Sequence, residues 1–211
     1  MSSRRRGWLV AFEGVEGAGK STQLELLRLA LEELGHKVTA TREPGGTPVG
    51  ERVRALLLDP SASVDPRAEA LLFAAARAQL VEEVIRPALE QGQVVLCDRY
   101  LHSSLAYQGA ARGLGRDEVA AINRFATAGL PPDVVVLLRL DPAEGLARGQ
   151  GGGRDRIECQ DLDFHRRVAG AFLELAAAEP DRFAVIDAAR PPERVAVDVR
   201  AAVLDRIGGG G

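Results

Sequence analysis

Lysine is nearly missing from this chain of 211 residues: of 27 cationic side chains only Lys20 and Lys37 are lysine, and the other 25 are arginine. Cysteine is scarce as well. Cys97 and Cys159 are too few for a disulfide framework and fall in no metal-binding or redox spacing, so a reducing cytoplasm is the expected setting. No apolar run approaches the ~18 residues of a membrane span, which excludes a helical membrane protein. There is no basic excess either. A net charge of −3 argues against a general nucleic-acid binder, which carries a positive field. The triplet Arg4-Arg5-Arg6 reads as a frayed, solvated terminus, because the long apolar stretch of a signal peptide does not follow it.

What remains is ordinary globular material, 46% hydrophobic and 27% charged, of a length suited to one domain with its own core. Short apolar runs alternate with helical stretches. "WLVAFEG", "HKVTATRE", "QVVLCDRY", "PPDVVVLLRLD" and "FAVIDA" read as five strands, several of them apolar on both faces. Helices are expected from Gly19 through "STQLELLRLALEELG", over "PVGERVRALLLD", and along the whole of "RAEALLFAAARAQLVEEVIRPALEQG". Further helices are expected over 103–108, from 116 to 128, over "DFHRRVAGAFLELAAAE", and after Pro191-Pro192. This alternation predicts an α/β fold with a five-stranded parallel sheet covered on both faces. The glycine-rich segment 148–156 reads as a mobile surface loop, and residues 1–6 and 208–211 as flexible ends of a single domain.

In open parallel sheets, ligands collect beyond the carboxyl ends of the strands. Glu13 ends the first strand, Arg42 and Glu43 the second, and Asp98 and Arg99 the third, so charged groups converge on one rim. On that rim "GVEGAGKS" matches the G-x-x-x-x-G-K-[ST] pattern through Gly14, Gly19, Lys20 and Ser21. Its glycines let successive N–H groups curl into an anion nest at a helix start. Lys20 adds a compact charge for the β- and γ-phosphates, and Ser21 a hydroxyl for Mg²⁺. A chain that uses arginine almost everywhere has lysine at this position. Asp98, after an apolar strand, suits the acidic residue that organises Mg²⁺, and Arg99 a fork for a second phosphate. A guanine-nucleotide switch would need an Asn-Lys-x-Asp reader and a transport ATPase a Leu-Ser-Gly-Gly-Gln signature; the sequence contains neither.

Over nearly its whole length the chain resembles the thymidylate kinase family. The resemblance rests on "FEGVEGAGKST", "TREPGGT", "LLLD", "LLFAAARAQLVEEVIRPAL", "DRYLHSSLAYQG" and "DRIE", in that order. It implies a P-loop nucleoside-monophosphate-kinase-like three-layer fold, and transfer of the ATP γ-phosphoryl group to dTMP with Mg²⁺ held by Ser21 and Asp98. Another P-loop nucleoside or nucleoside-monophosphate kinase is the alternative.

Carried onto this sequence, the ATP site comprises Gly14, Val15, Glu16, Gly17, Ala18, Gly19, Lys20, Ser21 and Thr22. The dTMP site comprises Glu13, Arg42, Phe73, Arg77, Arg99, Ser103, Ser104, Tyr107 and Gln108. Phe73 and Arg77 share a helix face, where the family stacks the base on the Phe and bonds its edge with the Arg. Glu69 on the same stripe makes it too polar for core. Tyr107 and Gln108 match the residues that sense sugar and base. The resemblance assigns catalysis to Glu13, Lys20, Asp98 and Arg99 and to an arginine of the lid at 148–156. Glu16 occupies the loop position at which some members carry that arginine, which leaves Arg148, Arg154 and Arg156 as candidates, Arg148 and Arg154 foremost. No histidine base is required, and His36, His102 and His165 are expected on the surface. The resemblance further implies a cytoplasmic homodimer that binds neither nucleic acid nor membrane.

Overall fold

The computed structural model describes residues 6–148 and 155–208. Five parallel strands form one sheet in the order β2-β3-β1-β4-β5. They are β1 (Trp8–Glu13), β2 (Val38–Arg42), β3 (Val94–Asp98), β4 (Val134–Arg139) and β5 (Phe183–Asp187). The chain leaves β1 for the β2 edge, returns through β3, and then crosses to the other side of β1 for β4. The reversal of direction opens a crevice above the carboxyl end of β1.

The sheet is buried on both faces, as its apolar runs require. Leu9 to Phe12 have no exposed surface. Val10 and Phe12 pack with Leu24, Leu27 and Leu31 of α1 (Lys20–Glu33), while Leu9 and Ala11 pack on the opposite face with Leu80, Ile85 and Leu89. Each such side chain contributes about 1.5–3 kcal/mol when taken from water. Helix starts follow local chemistry. Thr47 accepts from Gly50 N at the start of α2 (Pro48–Leu58), and Asp65 from Arg67 N at the start of α3 (Pro66–Leu80). Both helices place proline in the first turn, where its missing N–H costs nothing.

The structure departs from the expected elements in four places. The long helix through 67–92 is divided into α3, a π-helical turn at Val81–Ile85, and α4 (Arg86–Glu90). Pro87 cannot donate to the preceding turn and crowds it, and the widened turn lies immediately before it. The helix expected over 103–108 is a short α5 (Leu101–Ser104) running into a π-helical turn, Leu105–Ala111, that carries Tyr107 and Gln108. The helix α6 (Arg116–Ala126) ends before Thr127. Finally, "PAEGLAR" forms α7 (Pro142–Arg148), so the segment that reads as loop from 148 is preceded by a helix. Asp141 caps it by accepting from Ala143 N at 2.9 Å; an Asp-Pro start is a legible signal. The helices α8 (Leu162–Ala178) and α9 (Pro192–Gly208) complete the two covering layers.

Two histidines expected on the surface are interior. His102 and His165 are each 1% exposed, packed edge-on against Phe183 and Phe164 respectively. An imidazole is apolar enough over its faces to pack as an aromatic ring, and burial lowers the His165 pKa from its ordinary value. Arg6 is also anchored rather than frayed, its Nη2 donating to Asp133 Oδ1 at 2.8 Å. No helix among the described residues is long and apolar enough to cross a membrane.

Candidate active site

The phosphate loop joins β1 to α1 and wraps the lysine that its pattern requires. Gly19 takes φ +87° immediately before α1, a left-handed conformation that turns the loop into the helix. Lys20 Nζ donates to Gly14 O at 3.2 Å and Val15 O at 2.9 Å, so the loop curls around its ammonium group. Burial, followed by the neighbouring Arg99 charge, lowers the Lys20 pKa. Ser21 Oγ donates to Asp98 Oδ2 at 2.6 Å, which brings together the two oxygen donors named from the sequence. Around them opens a cavity of about 400 Å³ lined by the loop, Arg42, Arg54, Asp98, Arg99 and Arg148. Lys20 and four arginines line it together with the loop, which suits a polyphosphate.

A second cavity, of about 150 Å³, adjoins the first and shares Glu16, Glu43, Arg54 and Arg99 with it. Its other walls include Phe73, Ser103, Ser104, Tyr107 and Gln108, five of the residues expected to meet a nucleoside. Arg99 stands between the two cavities. Its φ of +70° is strained for a residue with a Cβ, and the surrounding bonds hold it there. The guanidinium donates to Gly14 O, Ser103 Oγ and, at 2.6 Å, Glu16 Oε1, and it lies over the Tyr107 ring. Tyr107 Oη donates to the same Glu16 oxygen at 3.0 Å. Burial opposes the Glu16 charge, but Arg99 and Lys20 outweigh it and bring its pKa down to about 2. Glu16 therefore acts as an anion holding Arg99 and Tyr107 in register.

Glu13 ends β1 behind Ser103, a wall of the second cavity. It is wholly buried, and its carboxylate accepts from Tyr100 N, Ser103 N and Ser103 Oγ, bracing the start of α5 from below. Arg42 is 55% exposed and paired with Glu51 at 3.0 Å on the cavity rim. Arg54 went unnoticed in the sequence, where one arginine among 25 on an amphipathic helix gives no signal. It lines both cavities, anchored through Pro44 O at 2.9 Å.

The polar stripe on α3 is interior, contrary to the expectation that its polarity keeps it out of the core. Glu69 and Arg77 are 0% and 1% exposed, because other buried side chains satisfy them. Arg77 donates from Nε to Glu43, with which it forms a buried ion pair, from Nη1 to Ser104 Oγ and Asn123 Oδ1, and from Nη2 to Tyr100 O. Four hydrogen bonds and the ion pair thereby hold the guanidinium on every nitrogen. Arg77 supports the second cavity from behind, and Phe73 and Gln108 form its surface. Burial raises the Glu43 pKa to about 7 against the opposing pull of Arg77.

On the far side of the phosphate loop, α7 lies directly on the loop backbone. A Cβ on Gly17 would sit 2.1 Å from Gly145 O, and one on Gly145 would sit 2.2 Å from Glu16 O. The two glycines thus permit a backbone-to-backbone contact that no side chain would allow. At the end of α7, Arg148 donates to Glu144 and to Ala188 O, and it lines both the phosphate cavity and a neighbouring one beside Thr22, Arg190 and Pro192.

A family model described as thymidylate kinase matches residues 12–199. The chain belongs to the thymidylate kinase family. Among curated relatives it is 55% identical to a thymidylate kinase of Deinococcus radiodurans, over 95% of this chain and 98% of the relative. A thymidylate kinase of Clavibacter michiganensis is 50% identical, over 97% and 98%. The solved structure of thymidylate kinase from Ehrlichia chaffeensis superposes with a TM-score of 0.79 at 30% identity, covering 94% of this chain and 99% of that one.

In this member of the thymidylate kinase family the three lid arginines named from the sequence fare differently. Arg148 stands at the cavity edge, whereas Arg156 is 8% exposed and points inward, with Nη1 2.7 Å from Glu69 Oε2 and Nε donating to Leu57 O. Arg156 is thus tied to α2 and α3 through Leu57 and Glu69. Arg154 lies outside the described residues, as do the terminal glycines 209–211.

Proposed function

We propose that this chain transfers the γ-phosphoryl group of ATP to dTMP, yielding ADP and dTDP for dTTP synthesis. The observation that carries the reading is the pair of adjoining cavities, one built on a phosphate loop and the other walled by Phe73, Tyr107 and Gln108, with Arg99 and Arg54 at their junction. Such a junction brings two anionic phosphates together and offsets their repulsion. Family membership over residues 12–199 supports dTMP as the acceptor.

The acceptor phosphate is already ionised at neutral pH, so the chemistry requires alignment and charge neutralisation and no protein base. Lys20 and the loop N–H groups hold the donor phosphates, while Arg99, Arg54 and Arg42 hold the acceptor. Ser21 and Asp98 would hold a Mg²⁺ ion, whose charge offsets that of the phosphate oxygens; a hydroxyl and a carboxylate 2.6 Å apart are hard oxygen donors suited to it. Phe73 stacks on the base, and Gln108 reads its edge. Tyr107, fixed by Glu16, crowds the sugar C2′ and disfavours a ribose hydroxyl. With Glu16 in the loop, the arginine for the transferring group comes from the lid, from Arg148 or Arg154. Closure of the lid expels water that would otherwise accept the phosphoryl group. The active form is a cytoplasmic homodimer.

The test is ADP release from MgATP without acceptor and then with dTMP, dUMP, dCMP and dGMP. A signal that depends on dTMP, with little ATP loss in its absence, is expected. Acceptor-independent hydrolysis would make the chain an ATPase, and a preference for another nucleotide would make it a different monophosphate kinase.

A further inference from the structure

Glu69 is fully buried four residues before Phe73, outside both the phosphate loop and the lining of the base cavity. Its carboxylate gathers three donors from two parts of the chain, Gln108 and Arg112 on one helical segment and Arg156 from another. Arg112 approaches Oε2 at 3.2 Å, Arg156 approaches Oε2 at 2.7 Å, and Gln108 Nε2 donates to Oε1 at 2.9 Å. Arg112 is itself fixed by Gln160 Oε1 at 2.8 Å and by the Phe164 ring beneath it.

A carboxylate between two guanidinium groups accepts hydrogen bonds and has none to give. The side of the Gln108 amide that faces Glu69 must therefore be the NH₂ group. With one N–H of Nε2 held on Glu69, Oε1 stands on the other branch of the amide, the branch left toward a ligand in the cavity that Gln108 lines. A side-chain amide can ordinarily turn over and exchange donor for acceptor, but here turning would set two oxygen acceptors against each other in a buried site.

We propose that Glu69 is a positioning residue for base selectivity. By locking the Gln108 amide with its oxygen toward the ligand, it admits a base that offers an N–H at ring position 3 and rejects one that offers a lone pair there. Thymine and uracil carry that N–H, whereas cytosine presents an acceptor. The inference rests on the assignment of Gln108 to the base side of the dTMP site.

The test is Glu69→Gln, assayed with dTMP, dUMP and dCMP. A glutamine at 69 can accept or donate, so the Gln108 amide is released to turn. The expected result is a rise of roughly tenfold or more in kcat/KM for dCMP relative to dTMP. The dUMP-to-dTMP ratio should stay within about twofold, because both bases keep the N–H. A merely structural loosening would move both ratios or neither. If wild type turns over dTMP and the dCMP ratio of E69Q is unchanged, this inference fails while the kinase assignment stands; no dTMP turnover by wild type would overturn both. Should E69Q not fold, wild-type binding of dTMP is compared with that of its 3-deaza analogue, which replaces N–H by C–H at nearly equal size. Loss of affinity by about tenfold is expected, and equal affinity would refute the locked orientation.

Discussion

The contact between the phosphate loop and α7 makes Gly145→Ala an informative perturbation far smaller than most. The added methyl would stand 2.2 Å from Glu16 O and 3.5 Å from a methyl of Leu140, so only the loop side obstructs it. Ordinary carbon–oxygen contact begins more than 1 Å farther out, so either α7 or the loop must withdraw by about 1 Å. Overpacking of this kind costs about 1–3 kcal/mol, and for a chain of this length that lowers Tm by roughly 2–10 °C. The functional effect should be disproportionate. Glu16, which holds Arg99 and Tyr107, and Arg148, at the end of α7, are both displaced relative to the phosphates. Misplacement on this scale can lower a rate by about a hundredfold. Steady-state kinetics with saturating dTMP and varied ATP, together with calorimetric dTMP binding and thermal melting, should therefore show kcat reduced by tenfold to a hundredfold and dTMP affinity, through Arg99 and Tyr107, reduced by a smaller factor of up to about tenfold. A variant with wild-type kcat and an unchanged melting curve would show that the loop and α7 yield freely, refuting the argument from the paired glycines.

Phe73→Ala should weaken dTMP binding by about 1–3 kcal/mol in calorimetry and leave the KM for ATP nearly unchanged, since the substitution removes only the ring on which the base stacks. Glu16 is held ionised in the fold, with its pKa brought from 4.5 to about 2. Its stabilising contribution is thus present above pH 4.5 and lost as pH falls toward 2; it amounts to at most about 3 kcal/mol. Chemical denaturation at a series of acidic pH values should show a shallower loss of stability over that window in Glu16→Gln than in wild type. Arg154→Ala should lower kcat far more than dTMP affinity, and an unchanged kcat would leave Arg148 as the lid arginine of the mechanism.

The five strands and the rim on which ligands gather were legible because their signals are local. A fully buried parallel strand must be a short apolar run, and a phosphate loop must set its glycines and lysine at fixed spacing between strand and helix. Ser21 and Asp98, 77 positions apart, meet because the phosphate loop leads from β1 into α1 beside the end of its paired strand β3, where Asp98 stands. The helix α7 was missed although its Asp141-Pro142 start is legible; a glycine and a nearby glycine-rich segment obscured it.

Polarity proved the poorer guide. Glu69, Arg77, His102 and His165 carry groups that a sequence reading assigns to water, and all four are interior. Whether a charge can be buried depends on partners supplied by distant segments, here Arg112 and Arg156 for Glu69 and Glu43, Ser104 and Asn123 for Arg77. The same holds for the role of Arg77, whose guanidinium is taken up by the fold, and for Arg54, distinguished from other arginines by the two cavities it joins.

The sequence by itself determined the strands of the sheet, the phosphate loop and the family, because periodicity and motif spacing are properties of contiguous residues. Only the tertiary structure decided that Ser21 meets Asp98, which charges are buried, which arginines line the cavities, how α7 rests on the loop and which atom of Gln108 meets Glu69. Those outcomes depend on desolvation and on hydrogen-bond partners that become neighbours only when the chain has folded.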